Sequence, residues 1–278
     1  MGGSCSLDNP CDEGVCNLSG PGEPECIPAD GDIDGDGIPN NRDFCNQQPG
    51  GEFDEDGDGI GDECDACPIA PPPARPDTDN DMVDAPCDPE PSLDGDQITV
   101  FEGFNGPLPA AFRADGQWSV VGGQAVFTSN DSSASSTLTT VLPLASRHVA
   151  VFTSYRIDRL DPSALQNFVG VTTIDRRPAG LSIVSCGGSR IGGNDKLVLQ
   201  TDVAGDEKPF LVNLFDTAGL YRVVQRIQNA TSACALLAND ANGAVTAATG
   251  GEIPTEAGLV ARGVDTKLQY LLVVQRPN

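Results

Sequence analysis

The chain has 278 residues, with 41 acidic and 16 basic residues and a formal net charge of −25. This length accommodates one full-sized domain and a smaller module, and it can bury one substantial core. The carboxylate excess repels nucleic acid and anionic membrane surfaces, and no apolar run approaches the roughly 20 residues that span a bilayer, so we expect neither a nucleic-acid partner nor a membrane span.

The negative charge is concentrated in the first third of the chain. Residues 1–96 hold 26 of the 41 acids and two of the 16 bases, which leaves 15 acids and 14 bases in residues 97–278. The first part therefore carries 24 of the 25 net negative charges. We predict three segments: a small cysteine-rich module at 1–29, an acidic region at 30–96 and a larger domain at 97–278.

The first segment contains four cysteines among proline and glycine residues, namely Cys5, Cys11, Cys16 and Cys26. They predict a two-disulfide module, and four cysteines allow three pairings. Eight of the ten cysteines lie in the acidic third, which has too few apolar residues for a core of its own. We therefore expect disulfides, metal or both to stabilise it in an oxidising compartment. No apolar segment follows Met1, so we expect any export signal to lie outside this sequence.

The acidic segment repeats one pattern, with aspartates at positions 1, 3 and 5 followed by glycine, at 32–37 and again at 54–59. Alternate carboxylates converge on one centre, and glycine permits the sharp turn that closes a shell of oxygens around a hard cation. Further carboxylate or amide side chains follow at positions 9 and 12. The pattern predicts two calcium sites, with ligands Asp32, Asp34, Asp36, Asn40 and Asp43 in the first copy and Asp54, Asp56, Asp58, Asp62 and Asp65 in the second.

A third copy departs from this pattern. Aspartates occupy positions 1, 3, 5 and 12, but Met82 replaces the glycine and Ala85 stands at position 9. A methionine seldom adopts the positive φ that glycine permits, so we expect this site to be weaker, distorted or absent. Its candidate ligands are Asp77, Asp79, Asp81 and Asp88.

Three other interpretations of the acidic segment compete with this one. An EF-hand needs a glutamate at position 12 and flanking helices, whereas position 12 is aspartate and the flanks are rich in glycine, proline and cysteine. Zinc would use the C-x-x-C pair Cys64 and Cys67, but no second pair follows and the one histidine is distant. A solvated acidic linker would not be expected to repeat the same spacing of aspartates together with regularly placed cysteines.

The segment from Asp30 to Asp88 resembles thrombospondin type 3 repeats in the runs DIDGDGIPNNRDFC, DEDGDGIGDECDAC and DTDNDMVDAPCD. In that family such motifs wind around calcium ions without regular secondary structure. The resemblance implies Ca²⁺ as the bound ion, and it implies disulfides that join Cys45 to Cys64 and Cys67 to Cys87.

Residues 97–278 show short alternations of apolar and polar residues without a helical period, which predicts an antiparallel β-sandwich or jelly roll. The predicted fold class is thus mainly β. An irregular, disulfide-rich repeat region that wraps around calcium is followed by the antiparallel β-sandwich. The clearest predicted strands are 124–128, 148–157, 168–174, 197–201, 220–227, 258–264 and 267–274.

The two ends of this domain resemble the concanavalin A-like, laminin-G-type sandwich. The front carries Phe101-Glu-Gly-Phe104 and Gly116-Gln-Trp118, and the back carries Leu268-Gln-Tyr270-Leu-Leu-Val-Val274. The resemblance implies that the first and last strands lie side by side.

The domain shows no motif for catalysis. No strand carries the paired carboxylates of a glycosidase, and Asp158 and Asp175, each beside arginines, suggest surface ion pairs. We expect His148, the only histidine, to be exposed or hydrogen-bonded, and the glycine-rich stretch 186–195 to form a loop. Cys186 and Cys234 are expected to pair across neighbouring strands or loops.

These patterns predict a secreted or cell-surface adhesion or matrix protein, not an enzyme, in which calcium stiffens the repeats that present the sandwich. Partners would be calcium and a cell-surface or matrix protein or polysaccharide. The first alternative is a calcium-dependent lectin, which would need exposed aromatic rings, whereas Trp118 and Tyr270 are expected in the core. The second is a glycoside hydrolase.

Overall fold

A computed structural model describes residues 3–6, 9–18, 24–50, 52–71, 77–129, 134–177, 180–210, 213–238 and 241–278. The chain divides into two compact units, Met1–Asp94 and Gly95–Asn278. The described residues form no α-helix, as the sequence pattern predicts, and accordingly none of them forms a helix that could cross a membrane.

The first unit is built from disulfides and turns. Its two short strands, β1 (Val15–Asn17) and β2 (Glu25–Ile27), pair in antiparallel fashion. Of its described residues, only Ile27, Val83 and Pro68 are buried residues with apolar side chains other than cysteines. The four bridges are Cys5–Cys16, Cys11–Cys26, Cys45–Cys64 and Cys67–Cys87.

The two bridges implied for the repeats are thus confirmed, and the structure selects one of the three pairings that the sequence left open for the first four cysteines. Each bridge closes a loop of 11 to 20 residues. Because this unit buries so little apolar surface, these cross-links constrain the chain where a core cannot.

The second unit is an antiparallel sandwich of sixteen strands. They are β3 (Gln97–Glu102), β4 (Phe112–Asp115), β5 (Trp118–Val120), β6 (Ala125–Phe127), β7 (Ser136–Val141), β8 (His148–Leu160), β9 (Asn167–Arg177), β10 (Gly180–Ile191), β11 (Asn194–Gln200), β12 (Gly205–Pro209), β13 (Tyr221–Gln228), β14 (Thr231–Ala238), β15 (Ala241–Ala248), β16 (Glu256–Arg262), β17 (Val264–Leu268) and β18 (Leu271–Arg276).

Seven strands form one sheet in the order β12-β11-β10-β9-β16-β7-β4, and nine form the other. The second sheet runs β15-β14-β13-β8-β17-β6-β5, and β18 joins it by pairing with both β8 and β3. The long strand β8 allows this branching because β18 pairs with its residues 148–152 and β17 with its residues 155–160. The first and last strands of the domain, β3 and β18, therefore lie side by side, as the resemblance implies.

The core lies between the two sheets. Strands β11, β13 and β14 alternate buried and more exposed residues, so one face of each packs inward. The bridge Cys186–Cys234 confirms the predicted pair, but it joins β10 of one sheet to β14 of the other. The expectation of neighbouring strands or loops was wrong, because both cysteines point into the space between the sheets, where they are fully buried.

The glycine-rich stretch 186–195 is also not a loop. Residues 180–191 form β10, Gly192 and Gly193 make a tight turn with positive φ, and β11 begins at Asn194. Gly187 is required by close packing, because a Cβ there would collide with the backbone of the neighbouring strand at Val169. The high glycine content of this stretch therefore suggested a loop, whereas glycine is needed there because neighbouring strands approach closely.

Candidate metal centres

The three acidic copies share one set of side-chain to backbone hydrogen bonds. In each copy the aspartate at position 1 accepts the N–H of position 4 on one carboxylate oxygen and that of position 6 on the other. The first distance is 2.7 Å in all three copies, for Asp32, Asp54 and Asp77. The second is 3.1, 2.8 and 2.9 Å, respectively. One carboxylate thus fixes the turn on which the next ligands are placed.

The third copy adopts the same backbone as the first two, which corrects the expectation for Met82. Positions 4 and 6 have φ of 80° and 96° in the first copy and 79° and 87° in the second, all glycines. In the third copy Asn80 has φ 66° and Met82 has φ 72°. The carboxylate of Asp77 stabilises this strained conformation, because it accepts hydrogen bonds from the backbone N–H groups of both residues.

The pKa of Asp77 reflects the same geometry. Burial pushes the pKa upward, but the backbone N–H groups that donate to the carboxylate, those of Met82 and Asn80 foremost, outweigh it and hold the pKa below its ordinary value. The carboxylate is therefore stabilised in its charged form, which is the form that binds a metal ion.

Within each copy the aspartates at positions 1, 3 and 5 converge. One carboxylate oxygen from each of the three lies within 4.8 Å of the other two. At position 3, Asp34 Oδ2 and both carboxylate oxygens of Asp79 are buried and accept no hydrogen bond. The converging groups are Asp32, Asp34 and Asp36, then Asp54, Asp56 and Asp58, then Asp77, Asp79 and Asp81.

The position-9 side chains close the turn in the first two copies only. Asn40 Oδ1 accepts the N–H of Ile33 at 3.1 Å, and Asp62 Oδ1 accepts the N–H of Glu55 at 2.8 Å. Burial, only partly offset by the bond from Glu55, raises the pKa of Asp62 to about 6, and nearby carboxylates add to the rise. Ala85 cannot make the equivalent bond, so this part of the third copy departs from the pattern as predicted.

The aspartates at position 12 are buried in all three copies. Each accepts the N–H two residues further on, at 2.7 Å for Asp43, 2.8 Å for Asp65 and 2.6 Å for Asp88. Burial is the main cause that raises the pKa of Asp43, and the charges of the three converging aspartates of its copy add to it. Asp43 is thus electrostatically coupled to that cluster.

Asn46 is a candidate ligand that the pattern does not include. Its side chain is buried, its Nδ2 donates to the carbonyl of Asp43 at 2.8 Å, and its Oδ1 has no partner. It lies three residues beyond position 12, outside the repeated spacing. In the sequence, the only signal that could have indicated it is the position of this asparagine directly after Cys45.

The clusters carry charge that the described side chains of this unit do not compensate. The described part of residues 1–96 contains one base, Arg42, which is exposed, and Arg75 lies outside the described residues. Two carboxylates 4.8 Å apart repel each other by about 1 kcal/mol in water and about 3 kcal/mol near a protein surface. Three such pairs per copy make a divalent cation the chemically matched occupant.

The sandwich bears out some minor expectations and contradicts one. His148 is half-buried and its Nδ1 lies 3.2 Å from the guanidinium of Arg276. Asp158 forms a surface ion pair with Lys267 at 2.9 Å. Asp175 is only 4% exposed, so the expectation that it lies at the surface was wrong. The strand register explains this, because Asp175 lies on the inward face of β9.

The aromatic rings of the sandwich are largely enclosed. The three tyrosines, Tyr155, Tyr221 and Tyr270, are buried. Trp118 is half-buried and packs on Phe127 with ring centroids 5.1 Å apart. The three tyrosine rings therefore present no open face of the kind on which sugars stack.

Comparison with known proteins finds no matching family model and no matching curated protein. Solved structures with similar folds include the CBM2 module of the Lactobacillus casei BL23 phage J-1 evolved Dit, at 11% identity and a TM-score of 0.47, covering 66% of this chain and 97% of that one. Basic winged bean lectin with Tn-antigen is similar at 8% identity and a TM-score of 0.48, covering 64% and 98%.

The GH43 protein BlXynB from Bacillus licheniformis is similar at 11% identity and a TM-score of 0.43, covering 63% of this chain and 39% of that one. All of these TM-scores are below 0.5. The assignment of the second unit as an antiparallel β-sandwich rests on its own strand order and register.

Proposed function

We propose that this chain is an extracellular calcium-binding protein in which bound calcium rigidifies thrombospondin type 3-like repeats that precede a β-sandwich binding domain. The observation that carries the proposal is the threefold recurrence of one backbone turn with three converging carboxylates. The third recurrence matters most, because Asn80 and Met82 adopt the positive φ of this turn although that conformation is unfavourable for residues other than glycine.

The disulfides support an extracellular location. All ten cysteines are paired, in five bridges. Disulfides persist in oxidising compartments, where calcium is also available at millimolar concentration. An adhesion or matrix role fits a stiffened repeat region joined to a sandwich, with a cell-surface or matrix protein or a polysaccharide as the partner.

Calcium binding is tested by titration calorimetry on the full chain. We expect Asp34→Asn, Asp56→Asn and Asp79→Asn each to lower the calcium stoichiometry by one, because each removes one position-3 carboxylate. Glu52→Gln, which neutralises an exposed acid of the same region outside the three clusters, is the matched control and should leave the stoichiometry unchanged. Unchanged stoichiometry in all three variants would contradict the proposal.

The rigidifying role is tested by limited proteolysis with and without a chelator. After chelation, cleavage is expected between residues 30 and 90 while the sandwich remains intact. Trp118, the single tryptophan, lies in the sandwich, and its fluorescence should not change. If the repeats resist the protease equally in both conditions, calcium is not their main support.

A further inference from the structure

A pair of acidic residues lies inside the sandwich, away from the acidic repeats. Asp175 is on β9 and Glu252 is in the segment that leads into β16, and they are only 4% and 3% exposed, respectively. The register pairs Asp175 with Ser182 of β10 directly across the sheet. Ser182 Oγ in turn lies 3.2 Å from Glu252 Oε1. The N–H of Ile253 donates to Asp175 Oδ2 at 3.0 Å, so the backbone beside Glu252 is held against the second acid.

This pair faces the interior. The inward-facing pair adjacent to Asp175 and Ser182 along the two strands is Thr173 and Val184. Gln225 of the opposite sheet donates to Thr173 Oγ1 at 3.2 Å and to the carbonyl of Val184 at 3.4 Å. The acids are therefore at the interface between the sheets, where a polysaccharide chain cannot reach them as it would reach the catalytic acids of a glycosidase.

Glu252 is incompletely satisfied in this position. Its Oε1 accepts from the N–H of Gly250 at 2.7 Å and from Ser182, whereas its Oε2 is buried and has no hydrogen-bond partner. Within the described residues Glu252 forms no ion pair. A buried carboxylate without a compensating charge is costly, because burial removes the hydration that stabilises the charge in water.

We propose that Glu252, Asp175 and Ser182 form a calcium site between the two sheets, separate from the acidic repeats. Two carboxylates and a hydroxyl are hard oxygen donors of the kind that calcium prefers, and Glu252 Oε2 is the donor left without another role. Calcium fits better than magnesium, because calcium accepts an irregular set of oxygen ligands, whereas magnesium demands near-ideal octahedral geometry.

The test uses the full chain, with Trp118 fluorescence to follow unfolding of the sandwich and native mass spectrometry to count bound ions. In the wild type, millimolar calcium should raise the unfolding midpoint above its value in a chelator. Glu252→Gln should abolish that shift and lower the number of bound calcium ions by one. Without calcium this variant should be at least as stable as the wild type, because it removes a buried charge that no described side chain compensates.

Two control variants separate this site from other effects. Glu256→Gln changes another buried glutamate, one that is paired with Arg176, and should keep both the calcium shift and the ion count. Asp79→Asn lies in the third repeat and should lower the ion count while the shift of the sandwich midpoint persists. The last variant makes failure of this proposal distinguishable from failure of the calcium proposal for the repeats.

Ser182→Ala provides a second perturbation if Glu252→Gln does not fold. It removes one uncharged oxygen ligand and should weaken the calcium affinity of this site, measured from the calcium dependence of the midpoint, about fivefold. The proposal is overturned if the wild-type midpoint is insensitive to calcium, or if Glu252→Gln retains the wild-type shift and ion count.

Discussion

Met82→Gly is the substitution that most directly tests the strain in the third acidic copy. Met82 has φ 72°, a left-handed conformation that costs an L-residue about 1–2 kcal/mol. Its side chain is 80% exposed, so glycine removes almost no packing. Glycine also increases the conformational entropy of the unfolded chain, which offsets about 0.5–1 kcal/mol of the gain. The net expectation is a stabilisation of this turn by about 0.5–1 kcal/mol.

Amide hydrogen exchange measures this change directly. Asn80 and Val83 donate backbone hydrogen bonds within the turn, to Asp77 and Asp81, and their exchange should slow in Met82→Gly. If calcium binds the same conformation, the affinity of the third copy should rise about twofold to fivefold. Met82→Ala is the control, because it shortens the side chain without relieving the backbone. Equal exchange rates in the glycine and alanine variants would refute the reasoning from backbone strain.

Three further expectations concern the sandwich, each followed by denaturation with tryptophan fluorescence. Hydrogen bonds from its arginine partner lower the pKa of Glu256 below the ordinary 4.5. The stabilisation from this ion pair is therefore present above pH 4.5 and is lost as the pH falls toward the folded-state pKa, so Glu256→Gln should reduce stability by about 1 kcal/mol at neutral pH and by less in acid. An equal loss at both pH values would contradict this. Replacing Cys186 and Cys234 together by alanine should cost up to about 4 kcal/mol, because the bridge closes a loop with a sequence separation of 48 residues, and an unchanged denaturation midpoint would rule this out. Gly258→Ala should destabilise strongly, because its Cβ would collide with the carbonyl of the adjacent strand, while Gly106→Ala, where a Cβ meets nothing within 4 Å, should be nearly neutral.

The sequence predicted most reliably where spacing alone determines geometry. The positions of Asp32, Asp34 and Asp36 along the chain, followed by glycine, are sufficient to infer that their carboxylates converge, because the glycine turn curves the backbone around one centre. The alternation at 148–157 and 220–227 likewise indicated β8 and β13, whose inward residues are mostly apolar.

The failures have physical causes of two kinds. The pattern gave no sign of β10, because Gly187 and Gly188 are required by contacts with other strands that are invisible along the chain. The expectation for Met82 relied on backbone preference alone, whereas the carboxylate of Asp77 overrides that preference with a hydrogen bond. Glu252 was not singled out, because its neighbourhood is created by Ser182, 70 residues earlier.

The scarcity of buried apolar residues in the first unit has a thermodynamic consequence. Since the apolar side chains buried in its described part are only those of Ile27, Val83 and Pro68 besides the cysteines, opening this unit exposes little new apolar surface to water. Both the heat-capacity increment and the denaturant sensitivity of an unfolding transition scale with that surface. A calorimetric scan of the intact chain will therefore register chiefly the sandwich, and the shape of the acidic unit will depend on ions and redox state far more than on temperature.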